Sequence, residues 1–492
     1  MIHPTSEQQQ IIDTDPVPGR VLKILAFAGT GKSTTLVSYA AKRPGLRFLY
    51  IAFNKSVQQE AARKFPPNVI ARTAHSLAFR AKGILHKDRL VPRFQANQVM
   101  DALDLDNYET ARFTMETLHR YLVSADPLVA FSHVSPAAQG FYQRQKQKMP
   151  DLVTLANQLG RLMCTGEHPD IGMLHDGYLK LYQLSGPVLD FDCILLDEAQ
   201  DINPVVSTIV MTQVRSDIAG KKPAVIVVGD NHQQIYSFRG ARDTLKSLAA
   251  HQTCYLTQSF RFDDNIAKAA NMVLSTFKNE ARPLRGTINQ TPKSPWNPDR
   301  HTVIARTNAV LFDRSVQLYK THTIGFSGGI QGYRLDLLKS VSFLYDKAAD
   351  RVQDPFIKGF SSFYDLKHYA AAVEDLELSS ACAVVEKYGP ALRRHVDRIK
   401  ETAVDPDRAE ILMTTAHKAK GLEWDHVQVM DDFISLIKER QPIDPAGVDP
   451  DEFNLIYVAM TRARVHLRFH KNSSIPLFIG LMKQKITRQP HP

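Results

Sequence analysis

Residues 21–43, VLKILAFAGTGKSTTLVSYAAKR, carry the strongest indication of the fold class. The opening run VLKILAFA is almost entirely apolar and predicts a short buried strand. The glycine-containing turn GTGKS follows, and TTLVSYAAKR then predicts a helix. A buried strand, a tight loop and a helix in this order indicate one unit of an α/β sheet.

The turn has the composition of a phosphate-binding loop. In a P-loop, backbone N–H groups and the helix N-terminus surround phosphate, a lysine neutralises its charge and a serine binds Mg²⁺. Lys32 and Ser33 supply these two groups, which makes Ser33 a predicted metal ligand. The strict signature has glycine where Ala26 stands, so a chance glycine turn stays open as the alternative. The predicted nucleotide-binding residues of the loop are Ala28, Gly29, Thr30, Gly31, Lys32, Ser33 and Thr34.

Further apolar runs extend this pattern along the chain. Buried parallel strands are predicted at FLYIAF (48–53), CILLDEAQD (193–201) and AVIVVGD (224–230). Together with the first run, they indicate a doubly wound sheet. Residues 81–185 show helical spacing without strand-like runs and predict a helical insertion. After residue 250 the strand-like segments TCYLT, HTVIAR, ILMTT, HVQVMDD and VHLRFH predict a second α/β lobe, which the mostly helical residues 331–407 interrupt.

Composition narrows the classes of partner. Lys plus Arg total 61 against 51 Asp plus Glu, and this net charge of +10 favours a polyanionic partner, with a merely basic surface as the alternative. The four cysteines form no CxxC pair, and His466 and His470 lie in a strand-like segment, so we expect no structural metal.

The sequence has neither a leader pattern nor an apolar run of bilayer length, so we expect a cytoplasmic protein without a membrane partner.

Acidic residues follow the third apolar run. Asp197 ends this run, where a metal-holding carboxylate belongs, and Glu198 comes next as a candidate base for an attacking water. A solvated strand end is the alternative interpretation.

Polar and aromatic residues follow the fourth run. Asp230 and Gln233 stand at its end, where a polar side chain can sense a γ-phosphate. Tyr236, Phe238 and Arg239 come next, and aromatic residues beside an arginine can stack on unpaired bases. Ordinary core packing of these aromatics is the alternative.

The order of the motifs is more informative than any one of them. Nine motifs follow one another in a fixed order along nearly the whole chain. From the N-terminus they are TSEQQQII, AFAGTGKST, IAFNKS, TAHS, LLDEAQD, GDNHQQIYSFRGA, LTQSFRF, TTAHKAKGLEW and LIYVAMTRAR. The chain thereby resembles superfamily 1 DNA helicases of the UvrD/Rep type, and LYIAFNKSVQQEA with TAHSLAF is most similar to the F-box DNA helicase branch. Because the first motif begins at residue 5, we expect no F-box ahead of it and carry over no ubiquitin-ligase role.

The resemblance implies an α/β fold with two RecA-like, doubly wound parallel-sheet lobes of the P-loop NTPase type and two helical insertion subdomains. We expect lobe 1A, which binds ATP, at residues 1–80 and 186–253, with insertion 1B at residues 81–185. Lobe 2A is expected at residues 254–330 and 408–492, with insertion 2B at residues 331–407.

The resemblance also assigns nucleotide contacts, with ATP and Mg²⁺ as cofactors. Gln8 looks like the residue that reads the adenine edge, and Phe260 is similar to the aromatic on which adenine stacks. Arg261 and Arg462 resemble two arginines that reach the γ-phosphate, because a planar guanidinium suits phosphate oxygens. Glu423 resembles the acid that contacts the sugar. The predicted catalytic set is Lys32, Glu198, Gln233, Arg261 and Arg462, and the predicted metal ligands are Ser33 and Asp197.

The family's single-strand channel falls on a further set of positions. Aromatic residues there would stack between bases, while hydroxyls, amides and histidines hold phosphates, a grip that tolerates any sequence. The predicted DNA-binding residues are Phe53, Asn54, Thr73, His75, Tyr236, Phe238, Arg239, Thr415 and His417.

The resemblance implies an ATP-dependent single-stranded DNA translocase and DNA helicase with 3′–5′ polarity, acting on single strands and single/double-strand junctions in DNA repair or recombination. Both insertions look short for the family, so translocation is better supported than unwinding. Two alternatives stay open: a translocase that displaces proteins such as recombinases and unwinds little, and an ATP-gated DNA-binding subunit of a repair or phage-defence complex. A nuclease, recombinase or defence subunit is the kind of protein partner considered, for a monomer or weak oligomer. No nuclease domain is expected after VAMTRAR.

Overall fold

The computed structural model describes residues 3–215, 222–235, 245, 248–287, 295–372 and 375–488. The chain divides into two compact units. The first consists of Met1–Ala26 and Gly31–Leu256, and the second of Phe27–Thr30 and Thr257–Pro492. Each unit has a parallel sheet with helices connecting its strands, so the α/β fold class is as predicted.

A six-stranded sheet forms the centre of the first unit. The strands described in this unit are β1 (Val21–Ala26), β2 (Phe48–Ala52), β3 (Val69–Thr73), β4 (Leu90–Val91), β5 (Met173–Leu174), β6 (Cys193–Leu196), β7 (Ala224–Gly229) and β8 (Gln252–Leu256). The order in the sheet is β3-β2-β6-β7-β1-β8, and every neighbouring pair is parallel. All residues of β2, β6 and β7 are buried, as expected where helices cover both faces of a parallel sheet.

The predicted apolar runs are confirmed as strands β1, β2, β6 and β7 of this sheet. One assignment was wrong, because TCYLT was expected in the second lobe and instead forms most of β8, which pairs with β1. The pattern of a short apolar segment identifies a strand, but it does not say which of two sheets the strand joins. The helices that pack with this sheet are α1 (Ser6–Asp13), α2 (Lys32–Ala41), α3 (Lys55–Lys64) and α4 (Ala74–Ala81).

Residues 81–185 are mainly helical, as the spacing predicts. The helices are α5 (Ala96–Leu103), α6 (Tyr108–Leu122), α7 (Pro136–Arg144), α8 (Leu152–Thr165) and α9 (His175–Leu184), and α10 (Pro204–Arg215) follows β6. The expectation of no strand in this segment needs a small correction, since β4 and β5 form a short parallel pair. Two residues per strand are too few to leave a pattern in the sequence.

The second unit contains a five-stranded parallel sheet. The strands described in this unit are β9 (His301–Ala305), β10 (Ile324–Phe326), β11 (Ile411–Thr415), β12 (Trp424–Val429), β13 (Ile437–Lys438), β14 (Gln441–Pro442) and β15 (Ala463–Phe469). The sheet order is β10-β11-β9-β12-β15, while β13 and β14 form a separate antiparallel pair. The strands predicted from HTVIAR, ILMTT, HVQVMDD and VHLRFH are confirmed as β9, β11, β12 and β15.

Helices surround and interrupt this second sheet. They are α11 (Asp264–Lys278), α12 (Asn308–Leu318), α13 (Leu335–Tyr345), α14 (Pro355–Lys358), α15 (Phe363–Ala372), α16 (Leu376–Tyr388), α17 (Ala391–Thr402), α18 (Ala416–Ala419), α19 (Pro450–Met460) and α20 (Ser474–Arg488). The described part of residues 331–407 is mostly helical, as expected. No helix of the described chain has both the length and the apolar composition needed to cross a membrane.

Candidate functional site

The glycine-rich loop joins β1 to α2 through two left-handed residues. Gly29 has φ 74° and Gly31 has φ 76°, a region that L-residues with a Cβ adopt at a cost. Gly31 directly precedes α2, so the N–H groups of the first helical turn lie beside the loop. Ser33 and Thr34 of that turn are exposed and accessible to a ligand. The loop therefore has a backbone geometry that suits an anion, and no side chain caps the N-terminus of α2.

Lys32 contacts the acidic segment that follows β6. Its Nζ lies 3.0 Å from Oε1 of Glu198 and donates to Oε2 at 3.1 Å. Burial would lower the pKa of the Lys32 ammonium, but the charges of Glu198, Asp197 and Asp230 outweigh it and raise the pKa above its ordinary value. Lys32 therefore stays charged beside the acids predicted to serve catalysis.

Asp197 is buried and held by a tyrosine. The hydroxyl of Tyr50, in the neighbouring strand β2, donates to Oδ2 of Asp197 at 2.5 Å, and the N–H of Glu198 donates to Oδ1 at 2.8 Å. Burial and the adjacent charge of Glu198 raise the pKa of Asp197. Both carboxylate oxygens thus have a donor that fixes their direction, which suits a metal ligand more than a solvated strand end.

A glutamine connects Glu198 to the end of β7. Gln200 donates from Nε2 to Oε2 of Glu198 at 2.6 Å, and its Oε1 accepts the N–H of Asp230 at 3.0 Å. Gly229 makes room for this link, because a Cβ there would lie 2.3 Å from Oε1 of Gln200. The sequence analysis did not single out Gln200, although it lies within the LLDEAQD motif.

Asp230 organises the turn that carries Gln233. Its Oδ1 accepts the N–H of His232 at 2.9 Å, and its Oδ2 accepts Nε2 of Gln233 at 2.7 Å. The amide of Gln233 is therefore held at the same sheet edge as Lys32 and Glu198, because β1, β6 and β7 are parallel neighbours. Tyr236, Phe238 and Arg239, predicted to bind DNA, lie outside the described residues.

Gln8 makes local contacts through both ends of its amide. Its Oε1 accepts the N–H of Thr5 at 3.0 Å, which closes a capping box at the start of α1. Its Nε2 donates to Oγ1 of Thr35 in α2 at 3.2 Å. These contacts tie α1 to the helix that follows the glycine-rich loop, and the adenine-reading role stays a prediction.

Phe27–Thr30 belong to the second compact unit and contact its residues closely. The carbonyl of Gly29 accepts the N–H of Phe260 at 2.8 Å, and the N–H of Ala28 donates to the hydroxyl of Tyr457 at 3.0 Å. A Cβ on Gly29 would lie 2.5 Å from Oγ of Ser259. A side chain at position 29 is therefore excluded for two reasons: the positive φ of Gly29 disfavours a Cβ, and a Cβ there would clash with Ser259.

Arg261 and Glu423 form a pair within the second unit. Nε of Arg261 lies 2.6 Å from Oε2 of Glu423, and Nη1 donates to the carbonyl of Thr461 at 3.1 Å. Two residues that the family resemblance assigns to the nucleotide are thus in contact. Phe260, the predicted adenine platform, is exposed over 36% of its surface and remains available for stacking.

Arg462 lies in a different environment from Arg261. It is only 1% exposed, and its guanidinium donates to the carbonyls of Val458 at 2.9 Å and Leu422 at 3.2 Å and to the hydroxyl of Thr461 at 3.1 Å. These bonds hold the end of α19 against the turn before β12. The predicted role of Arg462 at the γ-phosphate requires that these bonds be exchanged for phosphate contacts.

The predicted DNA-binding residues of the first unit gather at the ends of β2 and β3. Ala52 pairs with Thr73, so Phe53 and Thr73 lie at adjoining strand ends. Phe53 is 42% exposed. Asn54 and Thr73 cap α3 and α4 by accepting backbone N–H groups. An exposed aromatic side chain beside two helix N-termini suits a strand of phosphates and bases.

His75 has a partner that sequence analysis missed. Its Nε2 lies 3.3 Å from Oδ1 of Asp176, at the start of α9, and its ring meets Tyr178 edge-on with centroids 6.1 Å apart. His119 lies 3.9 Å from the other carboxylate oxygen. Burial would raise the pKa of Asp176, but the hydrogen bond and charge of His75, with the charges of His119 and His175, lower it. No local pattern could have indicated a contact between residues 101 positions apart.

The DNA-binding positions predicted in the second unit lie at the end of β11. Thr415 is buried and caps α18, where its Oγ1 accepts the N–H of Lys418 at 3.4 Å. His417 in that helix is partly exposed. Lys418 lies 3.6 Å from the centre of the Tyr333 ring and donates to the carbonyl of Gly332 at 2.7 Å. This contact joins α18 to the segment preceding α13.

Two family models match the chain. The UvrD/REP helicase N-terminal domain matches residues 187–252, and the UvrD-like helicase C-terminal domain matches residues 346–474. The first match includes Asp197, Glu198 and Gln233, and the second includes Thr415, Glu423 and Arg462.

Whole-chain comparisons agree with these matches. The chain is 34% identical to F-box DNA helicase 1 of Gallus gallus over 94% of its length and 48% of that relative. It is 32% identical to F-box DNA helicase protein 1 of Schizosaccharomyces pombe over 94% of its length and 57% of that relative. A putative ATP-dependent DNA helicase of Bacillus subtilis, YjcD, is 25% identical over 71% of the chain. The chain thus spans about half the length of the first two curated relatives.

Proposed function

Because the chain belongs to the UvrD-like helicase family, we propose that it is an Mg²⁺-dependent ATPase that translocates along single-stranded DNA and unwinds duplexes. The observation that carries the proposal is the contact of Lys32 with Glu198 at 3.0 Å. These residues come from segments 166 positions apart and meet where parallel strands of one sheet end. Open α/β sheets bind ligands at this edge.

In the proposed mechanism the loop N–H groups and Lys32 hold the phosphates of ATP. The Ser33 hydroxyl and the Asp197 carboxylate would hold Mg²⁺, which offsets negative charge on the transferring phosphoryl group. Tyr50 keeps the Asp197 carboxylate in one orientation through its 2.5 Å hydrogen bond. The donor set of one hydroxyl and one carboxylate, with phosphate oxygens, matches the preference of Mg²⁺ for oxygen.

Glu198 is the proposed base that orients and deprotonates the attacking water. When ATP occupies the loop, its phosphates compete for Lys32 and release the Glu198 carboxylate for the water. Gln200 keeps the carboxylate at the sheet edge, and Gln233 senses the γ-phosphate from the turn after β7. Arg261 and Arg462 are proposed to stabilise negative charge on the transferring group.

Single-stranded DNA is proposed to contact the ends of β2 and β3 in the first unit and the end of β11 in the second. Phe53 stacks on a base while Asn54, Thr73, His75, Thr415 and His417 contact the backbone. Tyr236, Phe238 and Arg239 complete the proposed set. We further propose 3′–5′ polarity, a role in DNA repair or recombination, and the subdomain boundaries expected from sequence, except that lobe 1A extends to the end of β8 at Leu256.

ATP turnover measured with and without single-stranded DNA tests the proposal. Lys32→Ala is expected to abolish turnover, because the ammonium that neutralises phosphate charge is lost. Lys42→Ala is the matched control, since Lys42 lies just after the other end of α2 and pairs with Asp13 at the surface. Near-normal turnover of Lys32→Ala, or turnover that DNA does not stimulate, would contradict the assignment.

Strand displacement on substrates with a 3′ or a 5′ overhang then tests polarity and unwinding together. A 3′–5′ helicase displaces the duplex next to a 3′ overhang and leaves the 5′-tailed substrate intact. Equal displacement of both substrates would refute the proposed polarity. ATP turnover stimulated by DNA without any displacement would restrict the protein to translocation.

A further inference from the structure

A groove in the helical insertion lies apart from the proposed motor site. It has a volume of about 480 Å³ and runs between the segment before α7 and the segment that begins α8. Its apolar lining consists of Phe131, Val134, Met149, Pro150, Leu152 and Val153. We refer to these residues as the α7–α8 groove. Val134 and Leu152 are buried and form the floor of the groove, where they pack in a small core with Phe113 and Tyr142.

The rim of the α7–α8 groove exposes apolar surface. Phe131, which lines the groove, is 57% exposed. Isolated exposed apolar residues are common on proteins, but an exposed aromatic residue that lines an apolar groove indicates a binding surface. The side chains that would cover such a groove are apolar.

A basic loop borders the same groove. Residues 143–148, QRQKQK, are all exposed, and Lys148 lines the groove itself. Arg144, Lys146 and Lys148 form no ion pair among the residues that the structure describes. The groove's acid, Asp151, is engaged elsewhere, because it caps α8 by accepting the N–H of Thr154 at 3.1 Å and its hydroxyl at 2.6 Å. Asp151 keeps its negative charge, so three basic side chains border the groove against one carboxylate of its lining, which leaves an excess of positive charge.

We propose that the α7–α8 groove docks an acidic peptide segment of a partner protein that carries a bulky apolar residue. The apolar residue fills the groove, and neighbouring carboxylates pair with Arg144, Lys146 and Lys148. Single-stranded nucleic acid fits less well, because bases stack on aromatic faces and Phe131 is the one aromatic residue of the lining. This docking site is additional to the proposed motor function and does not depend on ATP.

Methyl NMR on the full chain with ¹³C-methyl methionine tests the proposal. Met149 lines the groove, and its resonance is assigned from the spectrum of Met149→Leu. The probes are ten-residue peptides in which four aspartates adjoin Leu-Phe, Phe-Leu or Trp-Leu, the same peptides with lysine for aspartate, and a twelve-nucleotide oligo(dT). Acidic peptides are expected to shift the Met149 resonance saturably, while the lysine peptides leave it unchanged.

Variants separate charge from apolar contact. Lys146→Glu/Lys148→Glu is expected to weaken the binding of acidic peptides at least about tenfold, because two attractions become repulsions. Phe131→Ala is expected to weaken it about fivefold through lost apolar contact. Lys87→Glu/Arg93→Glu, which makes the same charge change at exposed sites outside the groove, is expected to bind like the unaltered chain.

Three results would overturn the proposal. They are the absence of any saturable Met149 shift with the acidic peptides, equal weakening by both charge-reversal pairs, and a Met149 shift produced by oligo(dT) alone. Thermal melting of each variant shows that it is folded, and the exposed positions of Lys146, Lys148 and Phe131 make loss of folding no explanation for weaker binding. ATP turnover stimulated by DNA is expected to be unchanged in Lys146→Glu/Lys148→Glu, so this test succeeds or fails independently of the motor proposal.

Discussion

Replacing Glu198 by glutamine tests the proposed base while preserving the shape of the side chain. Glu198 lies 3.0 Å from Nζ of Lys32, and its other oxygen accepts Nε2 of Gln200 at 2.6 Å. A glutamine amide retains one oxygen that can accept from Lys32, but it has neither a negative charge nor a basic carboxylate. Both contacts are partly buried, so we expect a folding cost of about 1 kcal/mol, near the average for one hydrogen bond.

The effect on turnover is expected to be much larger than the effect on folding. Loss of a general base costs about 10²–10⁴-fold in rate. This factor corresponds to about 2.7–5.5 kcal/mol in activation free energy, at about 1.4 kcal/mol per tenfold. ATP binding is expected to be retained, because Lys32 keeps its charge and loses a competing carboxylate.

Steady-state ATP hydrolysis with saturating single-stranded DNA measures the rate, and a fluorescent ATP analogue measures nucleotide binding. The matched control is Glu60→Gln, which removes the same charge from an exposed pair with Lys64 on α3. Turnover above one tenth of the unaltered level in Glu198→Gln, with nucleotide binding intact, would refute Glu198 as the base. A parallel loss of nucleotide binding would instead assign Glu198 a structural role beside Lys32.

Three further outcomes are expected. Tyr50→Phe removes the donor to the Asp197 carboxylate, so the Mg²⁺ concentration for half-maximal ATP turnover should rise several-fold and unfolding should become easier by about 1–3 kcal/mol; an unchanged Mg²⁺ titration would show that the bond does not orient a metal ligand. Asp176→Asn loosens the hold on His75, and single-strand affinity measured by fluorescence anisotropy should fall about three- to tenfold, as expected for one hydrogen bond; unchanged affinity would remove His75 from the DNA surface. Burial lowers the pKa of Lys180 to about 8 from an ordinary value of 10.5, so between these values the unfolded chain binds more protons and stability should rise with pH. Urea unfolding at pH 8 and pH 10 should therefore show a gain in the unaltered chain that Lys180→Met lacks, and equal gains in both would contradict this explanation.

Much of the fold and many candidate site residues could be predicted from local patterns. Apolar runs of strand length identified β1, β2, β6 and β7, because strands buried on both faces contain few polar residues. The same runs placed Lys32 and Asp197 at strand ends, where the carboxyl edge of a parallel sheet collects them. These inferences need only the residues of one segment and their spacing.

The contacts that hold the site follow from the tertiary structure and not from any local pattern. In the sequence Tyr50 is an ordinary residue of a predicted strand. Its hydroxyl nevertheless donates a hydrogen bond to Asp197, 147 positions away. Asp176 follows a two-residue strand without any motif and approaches His75. Arg462 lies in a recognisable motif, but the motif did not reveal that carbonyl groups surround its guanidinium.

The order of motifs in the chain was enough to predict the α/β class, the resemblance to UvrD/Rep-type helicases and the residue types of the glycine-rich loop. The tertiary structure decided which carboxylate each hydroxyl, amide or imidazole contacts, and which of the predicted site residues are buried. The physical reason is the distance along the chain over which each kind of interaction acts. Strand and helix preferences act between near neighbours along the chain, whereas these hydrogen bonds join distant segments and depend on how strands order themselves within a sheet.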